Sequence, residues 1–569
     1  MSTPKKLREE VAGAPPDVAP PEAASLRELL RLREHFQTGA FAELEGVASP
    51  YTGPIFKSVL DALDRVKTVT EDPRVRKFAL KQLRLNELQF EEHALEHGVK
   101  ELADVSGSDA ANSIYSVAKV DSHLHLSACM TTAELYDYLG EIYRKHGDRV
   151  LDEATGTTIK EMMSAEGFTP GGDLDAMGTM SNKVMLRNFE DFNQAFQPMR
   201  SKKLKNLVFK MQTLDGEFLR GYITRVVDKA AARNTFLEPR ISIKGTSRSE
   251  WETLAKWVHA HRESTIREHL LWAVQLPRVY HVWHGRRVQS FGELVTNFFG
   301  PLFDATSSPE AHVELAWFLE HCGMIDTVDN EDKVDAYDLS TLPPASEYTN
   351  KDNPPYGYYH FFWWANLKAL NKLRAEKGMR ILTLRPHCGE AGPVHHLSSA
   401  FLFAHNISHG INLAKEPTLE YLYYLAQIGL SVSPISNKAL FIPYTRNPFA
   451  TLYKRGLRAT LTTDDPLMFH MTDSPLLEEY AAARLVWELT LVDLCEIAHH
   501  SVHISSLPEK LKERLGSTDV AVSNVPPSRW AFRARVRQRN EAALTGQSEK
   551  ISPASSTRVG PPGIQPTFR

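Results

Sequence analysis

Within KVDSHLHLSACM, residues 119–130, His123 and His125 stand two residues apart at the end of an apolar run. On a β-strand, residues i and i+2 point to one face, and two imidazoles on one face can share a metal ion. Further along come His387 and Glu390 in RPHCGEAG, His409 in NISHG, and Asp464-Asp465-Pro466 in LTTDDP. Three histidines and one aspartate are a donor set that a borderline divalent ion such as zinc accepts. Water held by such an ion loses a proton near neutral pH and becomes a nucleophile. Glu390, reached from His387 across Cys388 and Gly389, and His409 are then the groups placed to carry protons. Asp465 follows Asp464 directly, and at a strand end before Pro466 the chain can turn and use both carboxylates. The chemistry is metal-assisted hydrolysis.

Two other motifs compete. With 23 histidines in 569 residues, roughly one H-x-H arises by chance. His259 and His261 form a second pair, but WETLAKWVHAHRE has helical periodicity, and on a helix i and i+2 diverge by roughly 200°. His93-Ala94-Leu95-Glu96-His97 fits the H-x-x-E-H pattern of inverted zinc peptidases. Its helix is polar all round and offers no dry cleft, so an exposed charged face is expected there.

The elements that must position the first set are strands. Candidate strands are IYSVAKVDSH, FLEPRISIKG, HLLWAVQLP, GMIDTVDN, MRILTLRPH, HNISHG, LSVSPIS and RATLTTDD. Helical patterns alternate with them, and this β-then-α order predicts an α/β fold, a (β/α)8 TIM barrel, over residues 111–505. In such barrels active-site groups lie at the C-terminal ends of strands. His123 and His125, His387 and Glu390, His409, and Asp464 and Asp465 all fall at those ends.

Around the barrel, residues 1–24 and 546–569 are expected to be disordered, 25–110 to form a helical extension, and 506–545 a C-terminal helical segment. The basic stretch from Arg529 to Arg539 reads as a packed or solvated helix face rather than a nucleic-acid surface. A net charge of -4 supplies no global basic field for nucleic acid or acidic membranes. Cys129, Cys322, Cys388 and Cys495 are far apart and form no C-x-x-C, so no disulfide framework is expected. No apolar run has signal-peptide or membrane-span length, and the cytosol is the expected address.

KVDSHLHLSACM, EPRISIKG followed by EW, QLPRVY, RPHCGEAG, ISHGINL, LYYLAQIGLSVSPISNKALFIPYTRNPF and LTTDDPLMFH resemble the AMP deaminases, over roughly residues 110–540. The resemblance implies one Zn2+ on His123, His125, His387 and Asp464, with His409 as the base. It implies that Glu390 protonates purine N1 while activated water attacks C6, turning AMP into IMP and ammonia. His125, Glu390, Asp465, Pro466, Leu467 and Met468 are implied to contact the substrate. A homo-oligomer and nucleotide effectors are implied as well. A paralogue acting on a related aminopurine, and a non-catalytic regulatory subunit that keeps the barrel, are the alternatives.

One departure stands out. Where the family holds the nucleotide with a segment like KFNAKY, this chain has Asp191-Phe192-Asn193-Gln194-Ala195-Phe196, and Ala133 stands where the family tends to carry lysine. A phosphate dianion needs charge-assisted donors, and losing two or three costs several kcal/mol at roughly 1.5–3 kcal/mol each. Arg187, Arg200, Lys202 and Lys203 are the nearby cations that could substitute.

Overall fold

The computed structural model describes residues 19–106, 114–172, 201–331, 335 and 338–546. Each of the eight expected segments carries a strand, and the chain is an α/β protein built on two parallel sheets. The first sheet has the order β1 (Lys119–His125), β4 (Thr235–Ser242), β5 (Trp272–Pro277), β6 (Cys322–Val328), β7 (Thr383–Leu384). The second runs β11 (Ala459–Leu461), β10 (Leu430–Val432), β9 (Ile407–His409), β8 (His387–Cys388). A short antiparallel pair, β2 (Val150–Asp152) with β3 (Thr157–Thr158), was not expected from the sequence.

MRILTLRPH is expected as one strand and forms two. Pro386 has no N–H to donate to a ladder, so β7 pairs with β6 and β8 with β9 on either side of Arg385-Pro386. At the opposite edges a parallel bridge joins Leu124 to Asp464. There Asp464 N donates to His123 O at 2.8 Å and His125 N to Asp464 O at 3.1 Å.

β1 is buried almost throughout although it carries Lys119, Asp121, Ser122 and His123. Buried polar groups need partners, and most of these have them. Lys119 Nζ donates to Ile114 O at 2.7 Å and to Val117 O at 2.5 Å, and Thr463 Oγ1 donates to Asp121 at 2.6 Å. The β1–β4 register shifts between Asp121 and Leu124, a local irregularity of the kind that re-aims side chains beside active sites.

Helices Pro21–Thr38, Lys57–Glu71 and Pro73–Ser106 pack against helices His395–Phe403 and Pro417–Ala426. The first begins at Pro21, inside the stretch expected to be disordered. Proline suits a first helical position, and Ala23, Leu26, Leu29 and Phe36 bury one face of that helix. The expected tails otherwise fall at 1–18 and 547–569, outside the described residues. The C-terminal segment forms helices Glu509–Leu515, Val520–Ser523 and Pro527–Thr545. Among the described residues, no helix is long and apolar enough to cross a membrane.

The H-x-x-E-H segment needs a correction. His93 is buried, lies 2.8 Å from Glu101 through Nε2 and stacks on Phe532 with ring centroids 4.3 Å apart. Glu96 instead faces solvent with 74 % of its side chain exposed. The histidine serves an internal ion pair rather than an open face. Arg529 joins that pair, donating to Glu101 at 2.8 Å and to Asp493 at 2.6 Å, while Arg533 donates to Glu496 at 2.6 Å. The basic stretch is thus a packed face neutralised from within. His259 packs on Trp317 and His261 lies 3.0 Å from Asp215, so the helical pair serves two different neighbours.

Candidate active site

The strand ends bring His123, His387, His409 and Asp464 together, with one ligand atom from each lying within 4.8 Å of all the others. His125 belongs to an overlapping group with Asp464 and Asp465. Asp464 joins the two groups, with Oδ1 3.4 Å from His123 Nε2 and 3.3 Å from His125 Nε2. His123 Nε2 and His387 Nε2 are 3.0 Å apart. The ring of His125 lies 5.4 Å from that of His387, nearly parallel to it.

The tautomer of His387 follows from its other nitrogen. Nδ1 donates to Asp326 at 3.1 Å, leaving a lone pair on Nε2 aimed at His123. His123 Nδ1 and both nitrogens of His409 are buried without a hydrogen-bond partner among the described residues. Burial first, then the charges of Arg240 and the neighbouring histidines, hold His123 well below its ordinary pKa. The ring is therefore neutral, as a metal ligand must be. Burial alone would raise Asp464, but the hydrogen bond from His125 and the charges of the surrounding histidines prevail and keep it ionised. A neutral His123, the Nε2 of His387 and an ionised Asp464 are donors that fit a divalent cation.

Local backbone choices aim these groups. His409 has φ 69° and Asp464 φ 60°, left-handed values that cost about 1–2 kcal/mol for a residue with a side chain. Strain of this kind collects where the fold over-determines a functional position. Gly389, at φ 73°, makes the turn that brings Glu390 back toward His387, and a Cβ there would meet Leu397 Cδ2 at 2.8 Å.

Glu390 is buried. Desolvation, then the charges of Asp464 and Glu331, push its pKa well above the ordinary range, while a hydrogen bond from Asn437 works the other way. Burial and the neighbouring anions thus favour its protonated form, and it lies 3.3 Å from His409 Nε2 without hydrogen-bond alignment. Burial lowers His409 to about 3. Burial also raises Asp465 to about 7, with His125 opposing and Asp464 reinforcing the shift. Pro466, Leu467 and Met468 open the short helix Pro466–Phe469 and are buried, with Leu467 O accepting from Thr132 Oγ1 at 2.8 Å.

The phosphate side is less complete. Residues 191–196, with Asp191, Phe192, Asn193, Gln194, Ala195 and Phe196, lie outside the described residues, as do Arg187 and Arg200. Ala133 is exposed at the start of helix Thr132–His146. Lys203 pairs with Glu166 at 3.2 Å and Lys202 is exposed.

Five supporting residues escaped the sequence reading. Asp326 orients His387 and is itself held by Arg240, whose NH2 donates to Ser408 Oγ at 2.9 Å. Ser436 donates to Asp464 at 2.8 Å, Asn437 to Glu390 at 3.0 Å, and Glu331 accepts from Gly389 N at 2.6 Å. An acid inside the apolar run GMIDTV and two polar residues just after LSVSPI were the available signals.

Known proteins can now be set beside this geometry. The chain is 40 % identical over 476 residues to a probable AMP deaminase of Oryza sativa subsp. japonica, covering 81 % of this chain and 58 % of that one. It is 40 % identical over 489 residues to an AMP deaminase of Arabidopsis thaliana, covering 83 % and 58 %. With AMP deaminase 3 of Homo sapiens it shares 36 % identity over 486 residues, covering 82 % and 62 %. The chain thus spans about three fifths of the length of these relatives. Among solved structures, an adenine deaminase from Arthrobacter aurescens aligns at 16 % identity and TM-score 0.41, covering 75 % of this chain and 99 % of that one. The family model for AMP deaminase matches residues 41–549, and the chain belongs to the AMP deaminase family.

Proposed function

We propose that this chain hydrolyses AMP to IMP and ammonia, with one zinc ion held by His123, His125, His387 and Asp464. The observation that carries the proposal is the convergence of His123, His387, His409 and Asp464 on one buried point, beside the buried carboxyl of Glu390. When bound, the ion lowers the pKa of a water toward neutrality. His409, neutral at pH 7, accepts the proton that the water gives up as its oxygen bonds to purine C6. Glu390 delivers its proton to N1, so that negative charge does not accumulate on the ring. Asn437 and the Glu331–Gly389 contact hold that carboxyl in place. His409 then returns its proton to N6 as the C6–N6 bond breaks and ammonia leaves, and Glu390 takes up the C6 hydroxyl proton as the C6 oxygen becomes the carbonyl. Asp465 accepts hydrogen bonds at this end of the site, and Pro466, Leu467 and Met468 form the apolar wall against the base.

The two sheets are inferred to be halves of one (β/α)8 barrel. The Arg385-Pro386 joint and the Leu124–Asp464 bridge support that closure. A cytosolic address, self-association and nucleotide effectors are proposed on the family resemblance alone.

Phosphate recognition is proposed to differ from the family pattern, because Asp191, Ala195, Phe196 and Ala133 replace its cations and hydroxyl. Turnover of AMP, dAMP, adenosine and N6-substituted AMP on zinc-loaded protein tests both parts. Ammonia release from any of them supports the chemistry, and none from all four refutes it. AMP preferred over adenosine by many orders of magnitude, with family-like affinity, refutes the altered phosphate site.

A further inference from the structure

Beside the HCGEAG turn, Asp335, His395 and His396 place one carboxylate oxygen and two ring nitrogens within 4.8 Å of one another. His395 Nε2 lies 2.7 Å and His396 Nε2 3.2 Å from the same oxygen, Asp335 Oδ1. The other Asp335 oxygen accepts from the backbone N–H of Tyr356. His396 is 2 % exposed and lies flat on Tyr356, with ring centroids 4.1 Å apart and planes at 12°. Asp335 and His395 remain partly open, at 19 % and 23 % of their side chains, so solvent reaches the point where the three converge.

His396 stands between two carboxylates. Its Nε2 faces Asp335, and its Nδ1, buried without a hydrogen-bond partner among the described residues, lies 3.8 Å from Glu331 Oε2. A neutral imidazole has one N–H and one lone pair, so a neutral ring would turn a lone pair on one of the two anions. Two states relieve this. In one, His396 is an imidazolium clamped between the acids. In the other, a cation beside Asp335 takes the Nε2 lone pair and Nδ1–H turns to Glu331. The second has the same form as His387, whose Nε2 faces the barrel cluster while Nδ1 donates to Asp326. Histidines that bind metals regularly donate their other N–H to a carboxylate. Arg278, stacked 4.7 Å from the Tyr356 ring centroid, and the start of helix His395–Phe403 oppose a cation here. Asp335 and Glu331 offset them. Two imidazoles, one carboxylate and an open position form a zinc-type donor set.

We propose that Asp335, His395 and His396 form a second divalent-metal site, oriented by Glu331 and completed by solvent. Glu331 Oε2 also accepts from Gly389 N, so an ion here would brace the turn that carries His387 and Glu390.

The test is zinc stoichiometry on the full chain, dialysed against excess zinc, freed of unbound metal and measured by mass spectrometry of the metal. The wild type is expected to hold two equivalents. D335N and H395A should each fall to one, and D464N should lose the other. D335N keeps the size of the side chain, and the wild-type value stands even if H395A fails to fold. A wild type saturating at one equivalent that D464N removes overturns the proposal in favour of the imidazolium clamp. So do two equivalents that survive in D335N. One equivalent that D335N removes and D464N keeps leaves this site standing and instead refutes zinc at the barrel centre.

Discussion

Asp326→Asn separates orientation of His387, a proposed metal ligand, from mere packing. The carboxylate is fully buried and takes three donors: Arg240 Nε, His387 Nδ1 at 3.1 Å and His387 N at 3.0 Å. Asparagine keeps the volume, removes the charge and replaces an acceptor with a donor pair. Arg240 then retains only Ser122 O, at 3.1 Å, and Ser408 Oγ, at 2.9 Å, as partners. Leaving one member of a buried ion pair alone costs about 3–5 kcal/mol. Losing the acceptor behind a ligating histidine weakens metal binding by about 10–100-fold. Urea unfolding of the apoprotein reads the first effect, and competition for zinc with a chromophoric chelator reads the second. The double variant R240M/D326N has no unpaired charge, so it should regain about 1 kcal/mol or more over D326N alone, because contacting residues are non-additive. A D326N protein within about 1 kcal/mol of wild type, or strictly additive behaviour in the double variant, would refute the reasoning.

Glu390→Gln should lower kcat for AMP by about 10²–10⁴-fold with zinc content unchanged, since it removes the transferable proton but no ligand. Gly389→Ala forces a side chain into a left-handed turn and against Leu397. Melting should show a loss of about 1–2 kcal/mol, with kcat falling as Glu390 is displaced. Acid titration tests the Glu101 ion pair: burial pushes its pKa up, but the hydrogen bond with His93 and the charge of Arg529 prevail and hold it near about 2 against an ordinary 4.5. A depressed folded-state value means that the stabilisation is complete above 4.5 and lost as pH falls through 2. The difference amounts to about 3 kcal/mol. Glu101→Gln should therefore unfold more readily than wild type at neutral pH and match it near the acid end, and a constant gap across that window would count against the pair.

Local pattern carried much of this protein. Eight short runs bounded by turn residues mark eight strand-bearing segments, because buried strands are largely apolar and the polar residues they do carry, as in β1, find partners or serve the site. The same segments end in His123, His387, His409 and Asp464, which the strand ends bring together. Other features depend on partners far away in the chain. Asp326 looks like an odd acid in a strand until folding sets it against His387, 61 residues on. His93 sits on a helix that reads as polar all round, and it is buried against Phe532 and Glu101, with Arg529, distant in sequence, paired to the same Glu101. The split of MRILTLRPH, the positive φ of His409 and Asp464, and the pairing of His395 and His396 with Asp335 are likewise decided by packing. A side chain's type is written locally. Its charge state and its role are set by whichever distant groups share its low-dielectric surroundings, and those are chosen only when the chain closes on itself.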